Sequence, residues 1–160
     1  MRTFLAFLLL IGAVAGAPAH ARPSADSRLL GSWAVDVSRL PMPPQARPKG
    51  VTITFSDAGQ GKLAMEVDIV DAGGTRIHSS SIATLDGSGV RVDGSSEADL
   101  AAMTLPQPHV LVVALGKDGI PASTRVYAAA ADGGTMVETA VYFGRDGQPI
   151  MRTNYFTRAR

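Results

Sequence analysis

The chain contains no cysteine. That excludes a disulfide framework, a thiolate metal site and a lipidated cysteine behind a leader. An excess of one charge is also missing, since 15 Lys and Arg stand against 14 Asp and Glu. So balanced a surface argues against nucleic acid or anionic lipid as the main partner. Histidine is scarce, with three in all. None lies in an H-x-H or H-E-x-x-H pattern, so no metal site is expected. The Asp-Gly turns lack the D-x-D-x-D-G density of a calcium loop. Neither a G-x-S-x-G elbow nor a phosphate-binding loop is present. Ser79, Ser80 and Ser81 follow His78 directly, but neighbours on a strand point to opposite faces, so they form no nucleophile–base pair. His78 is expected to face solvent or a cavity rim. No catalytic residues, metal or cofactor are expected, and the chain reads as a non-enzyme.

One apolar run stands out, at the N-terminus. Arg2 precedes a core from Thr3 to Ala15, and Ala19-His20-Ala21 forms an A-x-A cleavage site, with Ala15-Gly16-Ala17 as a second choice. The run is shorter than the roughly 20 apolar residues that span a bilayer, so it reads as a secretion signal over residues 1–21, with a membrane anchor as the alternative. No integral membrane segment is expected after cleavage. The product is expected in the periplasm or outside the cell. Residues 22–28 (RPSADSR) are polar and read as a flexible arm, and residues 29–160 as one domain with a full core.

From Trp33 the chain alternates. Trp33, Val35 and Val37 share one face, and Ala34 and Asp36 the other, the period of a half-buried strand. Leu40 to Gly50 holds four prolines and reads as an extended surface loop. Beyond Gly50, strands are expected at 51–55, 63–69, 76–85, 90–92, 110–115, 123–130, 136–143 and 150–158. Ser95 to Thr104 reads equally as strand or as a short helix capped by Ser96.

The joints carry the topology. Turn signals fall at Asp57-Ala58-Gly59, Asp71-Ala72-Gly73-Gly74, Asp86-Gly87, Asp93-Gly94, Asp118-Gly119, Asp132-Gly133 and Asp146-Gly147. Asp-Gly between alternating segments favours tight hairpins, because such turns need positive φ. Consecutive hairpins make a meander, and a long meander exposes two edges unless it closes. An all-β, antiparallel up-and-down barrel of about 8–10 strands follows. A two-sheet sandwich is the runner-up.

Gly31-Ser32-Trp33 opening the first strand resembles the G-x-W signature of lipocalins and related calycin barrels. Gly31-Ser32-Trp33-x-Val35-Asp36-x-Ser38, the proline-rich loop and Pro48-Lys49-Gly50-Val51-Thr52 together resemble small secreted bacterial lipocalin-like proteins. So do the D-x-x-G hairpin at Asp71 and the G-[KR]-D-G-x-P turns at Gly116 and Gly144. The resemblance spans most of residues 29–158. It implies a tryptophan packed across the closed end of the barrel with a late arginine over it, here Arg152 or Arg158, and a binding site at the other end. Trp33 is then structural.

Arg125-Val126-Tyr127 resembles the R-x-Y pair with which fatty-acid-binding proteins hold a carboxylate, although there it lies on the final strand and here about two strands earlier. Arg125 and Tyr127 share a face. The plainer reading puts that face outward, with Thr124, Val126 and Ala128 inside. Arg152, Asn154 and Phe156 form a second such set, on a face expected to point inward. Small residues (Ser79, Ala83, Ala128 to Ala131, Ala140) mixed with large ones (Phe55, Met65, Phe143, Phe156) allow a modest interior cavity. The candidate ligand-binding residues are therefore Arg125, Tyr127, Arg152 and Phe156. The expected function is binding of a small hydrophobic or amphipathic ligand. The alternative is a protein-interaction module, such as a secreted protease inhibitor acting through its N-terminal arm or loops; no particular protein partner is indicated.

Overall fold

The computed structural model describes residues 25, 26 and 28–159. The expected signal segment, together with residues 22–24 and 27 of the expected arm, lies outside them. Ten strands follow in order: β1 Gly31–Val35, β2 Gly50–Gly59, β3 Lys62–Val70, β4 Arg76–Thr84, β5 Asp86–Arg91, β6 Leu100–Gln107, β7 Val110–Lys117, β8 Ile120–Ala129, β9 Thr135–Phe143 and β10 Pro149–Arg158. All pair antiparallel in one sheet, in the order β4-β3-β2-β1-β10-β9-β8-β7-β6-β5. The sheet curls until its two edges meet. Ser80 N–H donates to the Asp93 carbonyl at 3.0 Å, and Asp93 N–H to the Ser80 carbonyl at 2.9 Å. This pair bridges β4 to the segment after β5, so the barrel is nearly closed.

Period two decides which side chains fill it. Ile53 and Phe55, Leu63 and Met65, Met103 and Leu105, Leu111 and Val113 are buried on alternate positions of their strands. The strand at β6 settles the Ser95–Thr104 ambiguity against a helix. Ser95 Oγ accepts from Glu97 N–H and Ala98 N–H, a local turn made by the residue before the expected cap. Ala101, Met103 and Leu105 then alternate inward.

The Asp-Gly signals divide into two kinds. Asp118-Gly119 joins β7 to β8 with φ of 52° and 76°, the positive angles a tight hairpin requires. Asp86-Gly87 does not make a hairpin. The chain bends at buried Leu85, and β4 and β5 become the opposite edges of the sheet. Asp86 accepts from Ser88 N–H and Thr84 Oγ1–H, and these bonds, that to Ser88 N–H foremost, hold its carboxyl at about 2. Gly94, at φ +74°, lets the seam form: a Cβ there would fall on the His78 carbonyl oxygen.

One end of the barrel is plugged. Trp33 is fully buried, and its Nε1–H donates to the Leu29 carbonyl at 2.8 Å. Of the two late arginines, Arg158 lies over the indole, with Cζ 4.2 Å from the ring centroid. Its Nε donates to Gly133 O at 2.6 Å, Nη1 to Leu30 O at 2.7 Å and Nη2 to Arg28 O at 2.8 Å. One side chain thus ties the segment before β1, the β8–β9 turn and β10 together. Gly31, at φ +116°, leaves room for it, since a Cβ would sit 2.5 Å from Nη1. Asp26 N–H donates to Pro108 O at 2.9 Å, adding a further stitch.

Replacing Arg158 with Ala orphans three carbonyls and uncovers the indole. The expected loss is about 3 kcal/mol, given charged hydrogen bonds of roughly 1.5–3 kcal/mol and a stacking term near 0.5–2 that do not simply add. Urea unfolding followed by Trp33 emission measures it, and the folded-state emission should also shift to the red.

Candidate ligand cavity

The end opposite Trp33 is open. A cavity of about 400 Å³ runs into the barrel there. That volume falls within the roughly 300–1,000 Å³ of small-molecule sites. Ile53, Met65, Val67, Ile69 and Ile77 from β2, β3 and β4 line one wall, and Phe156 the floor side of β10. The proline-rich loop is more than a connector. Leu40, Met42, Ala46 and Pro48 line the mouth, with a 3₁₀ turn at Pro44–Ala46 where proline supplies the first position.

The wall formed by β8, β9 and β10 is polar, and its centre is Glu138. That carboxylate is 2 % exposed. Arg125 Nη1 donates to Oε1 at 3.1 Å, and Asn154 Nδ2 donates to Oε2 at 2.7 Å. Arg125 Nη2 also reaches Glu97 Oε2 at 2.8 Å, on the loop between β5 and β6. The guanidinium therefore links a buried acid to one at the mouth. Burial alone would lower the Arg125 pKa, but the Tyr127 oxygen, Glu138 and Glu97 outweigh it and hold Arg125 above its ordinary value, firmly charged. Tyr127 is fully buried, edge-on to Phe55 and Phe156 at centroid distances of 5.3 and 6.3 Å. It opposes Glu138 across the β8–β9 pair. Burial first, and then the Glu138 charge, hold the phenol well above its usual range. The hydroxyl lies close to both Glu138 and Arg125 but makes no hydrogen bond of good geometry with either.

These positions correct several expectations. The Arg125–Tyr127 face points inward, and Thr124 and Ala128 are exposed. The inversion has a cause on the neighbouring strand: Glu138 needs an interior partner, and Arg125 is the cation the hairpin provides. Arg125, Tyr127 and Phe156 all line the cavity. Arg152 is outside the lining; it is exposed, with Cζ 5.3 Å from the Tyr142 ring centroid. Phe143, expected as interior bulk, is 71 % exposed. His78 is exposed, with Nδ1 2.9 Å from Asp68 Oδ1, an ordinary surface pair. Glu138 and Glu97 add to the sequence candidates, and Asn154, grouped with Arg152 and Phe156 by its parity, joins them on the polar wall. Apolar periodicity favours Val137, Val141 and Phe143 as the inner face of β9, and so hides Glu138. The one available signal was a charge complement between the two strands of a single hairpin. Among the described residues no group of three or more His, Asp or Glu could hold a metal, and no helix is long and apolar enough to cross a membrane.

No protein-family model matches the chain, and no curated protein matches it. Among solved structures it is similar to the protein of "The Siderocalin Ex-FABP functions through dual ligand specificities", at 17% identity over 83% of this chain and 75% of that chain, with a TM-score of 0.36. The fold class rests on the strand order and closure described above.

The buried pair makes a thermodynamic prediction. Arg125→Met leaves Glu138 charged and unpaired, and should cost about 3–5 kcal/mol. Arg125→Met combined with Glu138→Leu should recover most of that loss, because neither charge is then stranded. Denaturant midpoints of the two singles and the double form the cycle that measures it.

Proposed function

We propose that the protein is a non-enzymatic, secreted or periplasmic lipocalin-like carrier that holds a small hydrophobic or amphipathic ligand in its barrel. The observation that carries this reading is the open cavity of about 400 Å³ at the end opposite the Trp33 plug. Its walls supply apolar area, worth about 25 cal/mol per Å² removed from water. Its polar cluster on β8 to β10 supplies orientation, the usual division of labour in a small-molecule site. The leader pattern at residues 1–21 supports export. Trp33 serves the frame, Tyr127 and Phe156 face the ligand, and Arg125 sets the charge of the wall behind them.

Native mass spectrometry of the purified protein, with organic extraction of whatever it retains, is expected to find a bound small molecule. Val67→Trp projects bulk into the cavity from β3 and should weaken binding of an uncharged fluorescent probe such as N-phenyl-1-naphthylamine at least tenfold, with little change in the thermal midpoint. Absence of both a retained mass and probe binding would remove the carrier reading.

A further inference from the structure

We infer that the cavity selects an uncharged amphiphile, an alcohol or amide in preference to a carboxylate, because Glu138 occupies the place at Arg125 that a ligand carboxylate would need. The inference rests on the carrier reading and narrows it to a headgroup class.

Arg125 and Tyr127 together have the form of a carboxylate receptor, but its cation is already taken. Nη1 is bonded to Glu138, Nη2 to Glu97, and Nε to Ser123 Oγ at 3.4 Å. Every nitrogen of the guanidinium has a partner inside the protein. An incoming carboxylate would have to displace Glu97 and would then face Glu138, buried and fixed by Asn154. Like charges at close range in a desolvated site are strongly unfavourable. The wider lining agrees. Asp71, Glu97 and Glu138 are acidic, and Arg125 is the sole basic residue among those that line the cavity. An anion therefore enters a net negative chamber.

The group left without a partner is neutral. Tyr127 lines the cavity, and its hydroxyl, buried beside Glu138 and Arg125, has no hydrogen bond of good geometry within the protein. Such a group is costly to bury and gains when a ligand pairs with it. An alcohol or a primary amide both donates and accepts, so it can satisfy a phenol in either sense without adding charge. The apolar wall at Ile53, Met65 and Val67 takes the alkyl chain.

The test displaces N-phenyl-1-naphthylamine from the purified protein with decanol, decanamide and decanoic acid at pH 7.5. Decanol and decanamide are expected to bind at least tenfold more tightly than decanoate. Glu138→Gln should raise decanoate affinity about tenfold or more. Glu97→Gln, which leaves the buried pair intact and is the safer variant for folding, should raise it in the same direction. Tyr127→Phe should lower decanol and decanamide affinity severalfold and leave the dye unaffected. Decanoate binding as tightly as decanol in the unsubstituted protein overturns the inference, and that comparison depends on no variant. If the dye and all three probes fail to bind, the carrier reading falls and takes this one with it. If the dye binds and decanoate matches or exceeds decanol, only the headgroup assignment falls.

Discussion

Arg158 over Trp33 is the contact on which the rest of this barrel depends. An up-and-down meander has no intrinsic reason to be sealed at one end and open at the other. Here a planar cation lies on the indole and donates to carbonyls from two separate stretches of the chain, Arg28 and Leu30 before β1 and Gly133 in the β8–β9 turn. Arginine suits the task because its fork is rigid and permanently charged. Gly31 keeps the approach clear. With that end filled by Trp33, Phe55 and Leu63, the remaining interior volume lies toward the proline-rich loop and the Glu97 loop.

The second constraint is electrostatic. A carboxylate buried in a barrel is tolerated only when it is paired and hydrogen-bonded. Glu138 meets both conditions through Arg125 and Asn154, drawn from the two strands that flank β9. The pair does more than satisfy itself. It sits on the inward face of the β8–β9 hairpin among Tyr127, Ala129, Met136 and Ala140, while Phe143 and Val137 lie outside. Fold and site thus meet at one residue: the acid buried in the hairpin also contributes to the charge of the chamber.

Much of the frame was legible in the sequence, because alternation and Asp-Gly punctuation are local properties. Trp33, Ile53, Phe55, Met65 and Phe156 lie inside as their periods indicate. The Asp118-Gly119 turn follows from its chemistry. Legibility stopped where a choice depends on distant partners. Asp86-Gly87 has hairpin chemistry but sits where the sheet must break to close, so it became a bend between two edges. On β8 and β9 both faces can be called apolar, and the decision between them belongs to a cross-strand ion pair that single-strand periodicity cannot register. Arg152 lies outside the cavity lining for a related reason. It is on the inward side of β10 by parity, opposite Ala140, but it lies toward the exposed end of that strand, beside Tyr142.

Location of the bound molecule is the most direct test. Titration of ¹⁵N-labelled protein with decanol, followed by backbone and indole N–H shifts, reports it residue by residue. The predicted result is movement of the Val67, Ser80, Tyr127 and Glu138 amides, with the Trp33 indole N–H unmoved. Shifts centred on Trp33, or confined to outer-face residues such as Val137, Phe143 and Met151, would contradict a cavity at the end opposite the plug.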